Sequence, residues 1–471
     1  MRADLLAEPV EGLDEALAAV DAFDKALVAG LLRPQPAQAD GLAHLAQAVA
    51  GTPLASKVAE AAEKAAAGVA GEDHFVALAA ARTALLGAVH DALMAQVQEA
   101  TGRPASAHEA AQAAGGEAAR NLLTAARSWL SDLARAGWQG LDRDVVAGSA
   151  QVVSALLQDT SLRRLAVLLD GFAAELAASC PGVTTERFPA RRWADLWSRA
   201  LLLTLPGGMA ATAIEKATGR LLPLGVDLQE HATAVQAQVH AVLEPADGSQ
   251  PRLVRASVVA PKPDTVIGAG LWQLLRPHMS LLGAVSEGRA MDLTDMPLTA
   301  EGDLIWSDKH ARLGDLADPF ATARVVLPNA ADAPTAPLGR HPARIAVPVF
   351  LEGYAVSKDK DKDEDGDEDT LTFTAAGYPL AVDADRIPVA GPLTPAAVSA
   401  SGACIGLLRW DAGAFRVQPL AVEATVKKKV VAVHAGAWAG GTTDKNGVKA
   451  ENAATDAIVA LVERAGKLLR K

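Results

Sequence analysis

A short polar segment contains side chains that could carry acid–base chemistry. Three candidates stand within eight positions of one another: Asp303, Asp308 and His310. A histidine near a carboxylate can act as a general acid or base, because the imidazole titrates close to neutral pH. The chain's ten histidines show no HxH, HxxH or HExxH spacing, so the sequence offers no histidine pair for a metal ion. The segment indicates either a hydrolase-type catalytic site or a loop of solvated polar residues.

A second candidate is the acidic run 358–369, in which eight acidic residues accompany three lysines. Its carboxylates fall at alternate positions, with Gly366 between the last two: Asp361, Asp363, Asp365 and Asp367. The run resembles the start of an EF-hand calcium loop, where oxygen ligands alternate and a glycine permits the tight turn. It departs from that pattern at position twelve, where Thr372 replaces the bidentate glutamate. The resemblance implies Ca²⁺ binding at the four aspartates, and the alternative is a solvated hairpin loop without a cofactor.

A third candidate is the glycine-rich stretch 430–443, which reads as a strand, a turn and the start of a helix. Phosphate-binding loops use this layout, because glycine lets backbone N–H groups approach an anion at a helix N-terminus. The stretch lacks the lysine followed by serine or threonine of a Walker loop. We therefore expect a flexible connector that lets the last helix fold back onto the protein.

The charge of the chain bears on its partners. A net charge of −12 argues against a protein that coats nucleic acid, since phosphates call for a basic surface. The acidic run carries about five of these charges, so the remainder of the chain is only mildly acidic.

Several features favour a cytoplasmic location. Cys180 and Cys404 lie far apart, which is typical of a reducing compartment and makes a disulfide between them unexpected. The first twenty residues contain acidic residues where a secretory signal needs an apolar core. We find no run of eighteen apolar residues, so the sequence predicts no membrane segment.

The predicted elements change from helices to strands at residues 231–260. Apolar and polar side chains alternate over 235–243 and again over 254–258, and Asp247-Gly248 supplies a turn between the two runs. His240 falls on the polar side of this predicted antiparallel hairpin. Before it, leucines recur at helical spacing between proline and glycine breakers, which predicts eight or nine helices.

These patterns predict an α+β protein with three parts. The parts are an irregular α-helical bundle at 1–221, an antiparallel β-rich domain at 222–435 that contains the acidic loop 358–369, and a glycine-rich connector with an amphipathic helix at 436–471. After the hairpin we expect a short helix at 266–275, loop-rich sequence to 320, and strands at 322–327, 343–351, 371–376, 403–410, 414–424 and 430–433.

The last helix, expected near 448–469, has one apolar stripe: Ile458, Leu461, Val462, Ala465 and Leu468. This stripe must be covered. We expect it to pack on its own chain, because no long linker separates it from the preceding strand, and a groove on a partner protein is the alternative.

No catalytic constellation stands out, so the sequence favours a non-enzymatic, cytoplasmic component that binds or assembles with a protein partner of unknown identity. Two alternatives remain. One is a hydrolase-type enzyme with a site around Asp303, Asp308 and His310 at the domain junction. The other is a β domain that binds a small ligand or, against the charge, nucleic acid.

Overall fold

Helices fill the first part of the chain and strands most of the rest. The computed structural model describes residues 1–104, 120–208, 214–363, 366–426 and 429–469. Helices come first, a sheet-rich region follows and a helix ends the chain, which confirms the predicted α+β class. The division into domains at 221 and 435 stays a prediction.

Local signals set the helix boundaries. Pro36 begins the second helix, where its fixed φ suits the first turn, and the Gln38 side chain accepts a hydrogen bond from the Gln35 backbone N–H at 2.7 Å. Gly30 ends the first helix with φ +90°. The helices described before residue 208 are α1 (Leu13–Ala29), α2 (Pro36–Ala48), α3 (Ala55–Ala66), α4 (Glu72–Thr101), α5 (Arg120–Ala136), α6 (Arg143–Ala147), α7 (Ser149–Leu157), α8 (Arg163–Ala178) and α9 (Ala190–Leu203).

The first sheet closes on itself. Its strands are β1 (Ile214–Glu230), β2 (Ala234–Pro245), β3 (Arg252–Pro261), β4 (Arg289–Thr299), β5 (Asp303–Leu304) and β6 (Ala311–Leu316). They follow the order β1-β2-β3-β5-β4-β6, and β1 also pairs with β4, so five strands form a ring. Short helices α10 (Leu271–Leu274) and α11 (Met279–Glu287) lie between β3 and β4 in the chain.

The second sheet packs against the first and is mostly antiparallel. Its strands are β7 (Val347–Glu352), β8 (Ala355–Asp363), β9 (Gly366–Ala375), β10 (Tyr378–Val382), β11 (Ser401–Asp411), β12 (Ala414–Val426) and β13 (Lys429–His434). The order is β7-β11-β12-β10-β9-β8, with β13 also paired to β12. Helix α12 (Pro319–Val325) precedes this sheet, α13 (Pro395–Ser399) precedes β11, and α14 (Lys445–Leu469) follows it.

Two local predictions are wrong. The segment expected as a strand at 322–327 lies mostly in α12, because Asp318 caps that helix by accepting from the Phe320 N–H at 2.9 Å and Pro319 starts it. The region expected to be loop-rich before 320 contains α11 and β4. Strand β1 was also not anticipated, since Pro223 and Gly225 interrupt its pattern at a β-bulge.

The acidic run lies at the end of a hairpin of two long strands. Backbone pairing between β8 and β9 runs from Ala355 with Thr374 to Asp363 with Gly366, so strand geometry extends into the predicted loop. Residues 364–365 lie outside the described residues, as do the side chains of 359–369.

Helix α4 contributes to two hydrophobic cores. Its first part, including Phe75 and Leu78, packs with the other helices. Its last part, including Val89, Leu93 and Val97, belongs to the core formed by both sheets. The helical part and the sheets therefore share one continuous element.

Candidate functional site

A row of polar side chains crosses the outer face of the first sheet. The row consists of Asp227 on β1, His240 on β2, Arg255 on β3 and Asp303 on β5. His240 pairs with Arg255, and Arg255 pairs with Asp303, so these three side chains share one face. Asp227 lies two residues from Gly225, the partner of His240. We call these four residues the polar row.

Part of the polar row is buried because the second sheet covers the same face. Val242, two residues from His240, belongs to a small apolar cluster with Ile405 of β11 and Ala421 of β12. The sheets approach closely at Gly225, where a Cβ would lie 2.8 Å from the Leu420 Cβ. Only glycine fits this position without a shift of its neighbours.

Asp227 links the two sheets through charge-assisted hydrogen bonds. Its side chain is only 4% exposed. It accepts from Gln418 Nε2 at 2.8 Å, from Gln229 Nε2 at 2.8 Å and from Arg409 Nη2 at 3.0 Å. Arg409 Nε in turn donates to Gln418 Oε1 at 2.5 Å. Each polar group of this network compensates the desolvation of another.

His240 is the titratable group at the centre of the polar row. The residue is 3% exposed, and its Nε2 is buried without a hydrogen-bond partner among the described residues. Burial lowers its pKa to about 4, although the nearby Asp227 carboxylate acts in the opposite direction. The imidazole is therefore neutral at pH 7 and can accept a hydrogen bond.

We expect His240 to make the fold sensitive to mild acid. Between its folded pKa of about 4 and the unfolded value near 6.5, the unfolded chain binds the extra proton, so stability falls as pH decreases. For this one group the loss from pH 7.5 to pH 5 is about 2 kcal/mol. Chemical denaturation at both pH values measures it.

The matched variant for this prediction is His240→Gln, which removes the titration. Burial also lowers the pKa of His341 and His434, so the difference in pH dependence between wild type and variant isolates His240. An identical pH dependence in the two proteins would contradict the assignment.

The middle of the polar row borders a small cavity between α4 and the sheets. The cavity has a volume of about 90 Å³ and is called the junction cavity here. His90 and Met94 of α4 form one side of it, and His240 and Arg255 line the sheet side. The remaining charged residues of the wall are Glu301, Asp332 and Arg344.

Asp332, in the wall of the junction cavity, forms a buried ion pair with Arg103. Arg103 donates to Asp332 Oδ1 at 2.8 Å and to the Pro348 carbonyl at 2.7 Å, which ties the end of α4 to the strands. Asp332 Oδ2 has no hydrogen-bond partner among the described residues, and burial raises the pKa of this carboxyl. An unpaired buried acceptor costs about 1–3 kcal/mol.

At its Asp227 end, the polar row opens into a larger cleft of about 440 Å³. Asp227, Gln229 and Gln418 contribute to its polar side, and Ile387 and Val389 belong to its apolar side. This volume is in the range of small-molecule sites. Both carboxylate oxygens of Asp227 already accept hydrogen bonds, from Gln418 and Gln229, so Asp227 is not a free catalytic base in this cleft.

The structure does not bring the predicted catalytic residues together. Asp303 forms a bidentate pair with Arg255, and His310 Nδ1 contacts the Thr294 carbonyl at 2.9 Å. Asp308 accepts from Trp306 Nε1 at 2.8 Å and from the Ser280 hydroxyl. Only Asp303 belongs to the polar row. No hydrogen bond or ion pair joins the three residues in the part of the chain described.

The predicted calcium ligands cannot be placed as a site. Asp365 lies outside the described residues, and the side chains of the other three do too: Asp361, Asp363 and Asp367. Among the side chains that are described, no group of three or more His, Cys, Asp or Glu residues could hold a metal ion. Calcium binding by the acidic run stays a prediction.

Sequence reasoning missed Asp227, Asp332 and Arg344. His240 was placed on the polar side of the hairpin, and this side is correct. The burial of that side was not foreseen, because its cover comes from strands about 160 residues further along the chain. The one local signal was a histidine within an alternating strand, which is also typical of a solvated face.

Apolar residues are exposed on the C-terminal segment. The first half of α14 packs on the protein: Ala454 is buried beside Gly270, and Gln273 Nε2 donates to the Glu451 carbonyl at 2.8 Å. Residues 459–467 are exposed, with Leu461 at 36% and Val462 at 67% of full exposure. Of the predicted stripe, Ile458 packs on its own chain, and Leu461, Val462 and Ala465 are exposed. The Leu468 side chain lies outside the described residues.

Strand β13 is a separate exposed apolar element. It pairs with β12 along one edge, and its other edge has no strand partner in the described parts of the chain. Val430 is 67% and Val431 is 41% exposed. Free strand edges with apolar side chains are common sites of strand addition.

One helix of the described residues, α4, is long and apolar enough to cross a membrane by length and composition. Half of its most apolar window is buried inside the protein. Its Arg82 is fully buried and binds Asp24. The packing of the chain itself accounts for these apolar residues, and the described residues show no clear membrane span.

The sequence was also compared with known proteins. No profile of a known protein family matches the chain, and no curated protein is significantly similar to it.

Proposed function

We propose that the chain is a non-enzymatic, cytoplasmic interaction or assembly component that binds a protein partner through the second half of α14. The observation that carries this proposal is the exposed apolar face of that helix, which includes Leu461 and Val462. An amphipathic helix of this kind lays its apolar face into a hydrophobic groove of a partner. Its first half is anchored to the protein, which orients the exposed half and reduces the entropy lost on binding.

Asp308 bonds to Trp306 and His310 contacts the Thr294 carbonyl, so the two side chains have different partners. This arrangement supports an interaction role over the hydrolase alternative. The charge of −12 supports a protein partner over nucleic acid. A second exposed apolar surface is strand β13, one edge of which has no strand partner among the described residues.

The double variant Leu461→Asp/Val462→Asp tests this proposal. We expect its melting temperature to stay within a few degrees of wild type, because exposed substitutions change stability by about 0.5 kcal/mol or less and Leu461 is only partly covered. We expect partner binding to be lost, because two charges would have to be buried in the partner's groove. Affinity purification from the native host with mass spectrometry identifies the partner, and titration with the purified partner measures binding.

The matched control is Val183→Asp/Val325→Asp, which places the same charge on two valines that are 80% and 69% exposed elsewhere. This control should bind the partner as wild type does. Equal binding by wild type and the α14 variant would refute the role of α14, and the absence of any stoichiometric partner would refute the interaction role.

A further inference from the structure

A cleft between the N-terminal segment and the second sheet has features of a binding site that are independent of α14. Its volume is about 390 Å³, which is in the range of small-molecule sites. The wall combines residues 3–14 with residues of α4, of β10 and of the β11–β12 hairpin. We call it the N-terminal cleft.

The wall of the N-terminal cleft is fixed by hydrogen bonds within the chain. The Gln96 side-chain amide of α4 donates to the Leu5 carbonyl at 2.6 Å and to the Glu8 carbonyl at 2.8 Å. The Arg2 backbone N–H donates to the Ala100 carbonyl at 2.7 Å. Leu5 is also buried in the core that both sheets share. A ligand therefore meets a preformed wall, which reduces the entropy lost on binding.

The N-terminal cleft contains an unpartnered hydrogen-bond donor. Trp410 and its cross-strand partner Phe415 both line the cleft, and they are 8% and 6% exposed. The Trp410 indole N–H has no hydrogen-bond partner among the described residues. The Trp138 indole N–H is also unpartnered but completely buried, whereas that of Trp410 keeps accessible surface. Since indole N–H groups of buried tryptophans are normally bonded, an oxygen acceptor in the cleft would complete this one.

The charged residues of the wall are both acidic. Glu8 and Asp14 are exposed, so they lie at the solvent side of the cleft. Neither forms an ion pair with a described residue, and no lysine, arginine or histidine of the described chain lines the cleft. These carboxylates attract a cation and repel an anion. The rings of Trp410 and Phe415 add to this preference, because an aromatic ring face attracts a cation.

We propose that the N-terminal cleft binds a small organic cation that carries an oxygen acceptor, of the amino-alcohol class to which choline belongs. The cationic group packs against the rings of Trp410 and Phe415 on the side of the two carboxylates, and the oxygen accepts from the Trp410 N–H. A metal cation would leave the apolar wall uncovered, and an apolar ligand would leave the indole N–H without a partner. A ligand with both groups matches each part of the wall.

The test uses the full chain at low ionic strength and pH 7 with three probes: choline, tetramethylammonium and neohexyl alcohol. Tetramethylammonium has the charge of choline without its oxygen, and neohexyl alcohol is the neutral isostere in which carbon replaces nitrogen. Isothermal titration and thermal unfolding report binding, because a ligand of the folded state raises the melting temperature. We expect saturable binding of choline, about fivefold weaker binding of tetramethylammonium and about tenfold weaker binding of neohexyl alcohol.

Variants assign the binding to the N-terminal cleft. Trp410→Phe keeps a ring and removes the N–H, so it should remove the preference for choline over tetramethylammonium. Glu8→Gln/Asp14→Asn should weaken choline binding about tenfold. The matched control is Glu11→Gln/Glu15→Gln, which removes the same charge from exposed residues that do not line the cleft, and its affinity should stay within about twofold of wild type.

Four outcomes would each overturn the proposal. They are no saturable binding of choline, equal binding of choline and neohexyl alcohol, an unchanged preference for choline in Trp410→Phe, and equal losses in the two double variants. Both double variants change exposed residues only, so their melting temperatures should match that of wild type and a loss of binding reports on the cleft.

Discussion

Replacing Asp24 by alanine should lower the free energy of unfolding by about 3–5 kcal/mol. Asp24 is 2% exposed and accepts from Arg82 Nε at 2.7 Å and from Arg82 Nη2 at 2.9 Å. The substitution would leave the fully buried guanidinium with one distant carboxylate, Asp195, at 4.0 Å. An uncompensated charge in the helical core is costly, because neither water nor a counter-ion can reach it.

Urea unfolding of wild type and Asp24→Ala measures this effect. The control is Asp21→Ala, which removes an ion pair to Arg191 in which both side chains are about half exposed, and it should cost less than about 1 kcal/mol. The double variant Asp24→Leu/Arg82→Met should recover most of the lost stability, because it removes both buried charges together. Equal losses of unfolding free energy for Asp24→Ala and Asp21→Ala would show that the buried Asp24–Arg82 pair does not stabilise the helical core more than an exposed pair does.

A second large effect is expected at Asp227. Asp227→Ala removes the acceptor of three hydrogen bonds between and within the sheets and leaves Arg409, 12% exposed, without its carboxylate. We expect a loss of about 3–5 kcal/mol, as for other broken buried pairs. Urea unfolding gives the size of the loss, and hydrogen exchange at the β12 amides near Gln418 gives its location.

Asp303→Ala is the matched control within the same polar row. Asp303 and its partner Arg255 are 44% and 41% exposed, so solvent screens their interaction and the expected loss is about 1 kcal/mol or less. A larger loss for Asp303→Ala than for Asp227→Ala would contradict the view that burial by the second sheet decides these energies.

The sequence predicts elements well where local signals agree. The hairpin of β2 and β3 has clear alternation, and Gly248 adopts the positive φ that the Asp247-Gly248 turn requires. The helices before residue 208 and α14 have apolar stripes with recognisable ends. Prediction failed where signals conflict: the proline in β1 suggests a break, and Val325 and Val326 at the end of α12 suggest a strand.

The polar row and the junction cavity were less accessible to prediction because their residues meet only in three dimensions. Asp227 and Gln418 are 191 positions apart, and Arg103 and Asp332 are 229 positions apart. The candidates that the sequence offers, such as Asp308 and His310, are neighbours in the chain. Their side chains nevertheless bind different partners and do not form one site. Burial of a strand's second face depends on the other sheet, and no local pattern encodes that sheet's position.

The sharing of α4 between two cores has a consequence for how the chain is made. The helical core can form as soon as residues up to Leu203 are available. The core that covers Val89, Leu93 and Val97 draws on strands from β1 to β12, and β12 ends at Val426. At ordinary rates of protein synthesis the gap between Leu203 and Val426 corresponds to roughly 10–45 seconds. Throughout that interval the last part of α4 is covered only by N-terminal residues such as Leu5 and Leu6, so we expect its remaining apolar surface to be a binding site for a chaperone at the ribosome.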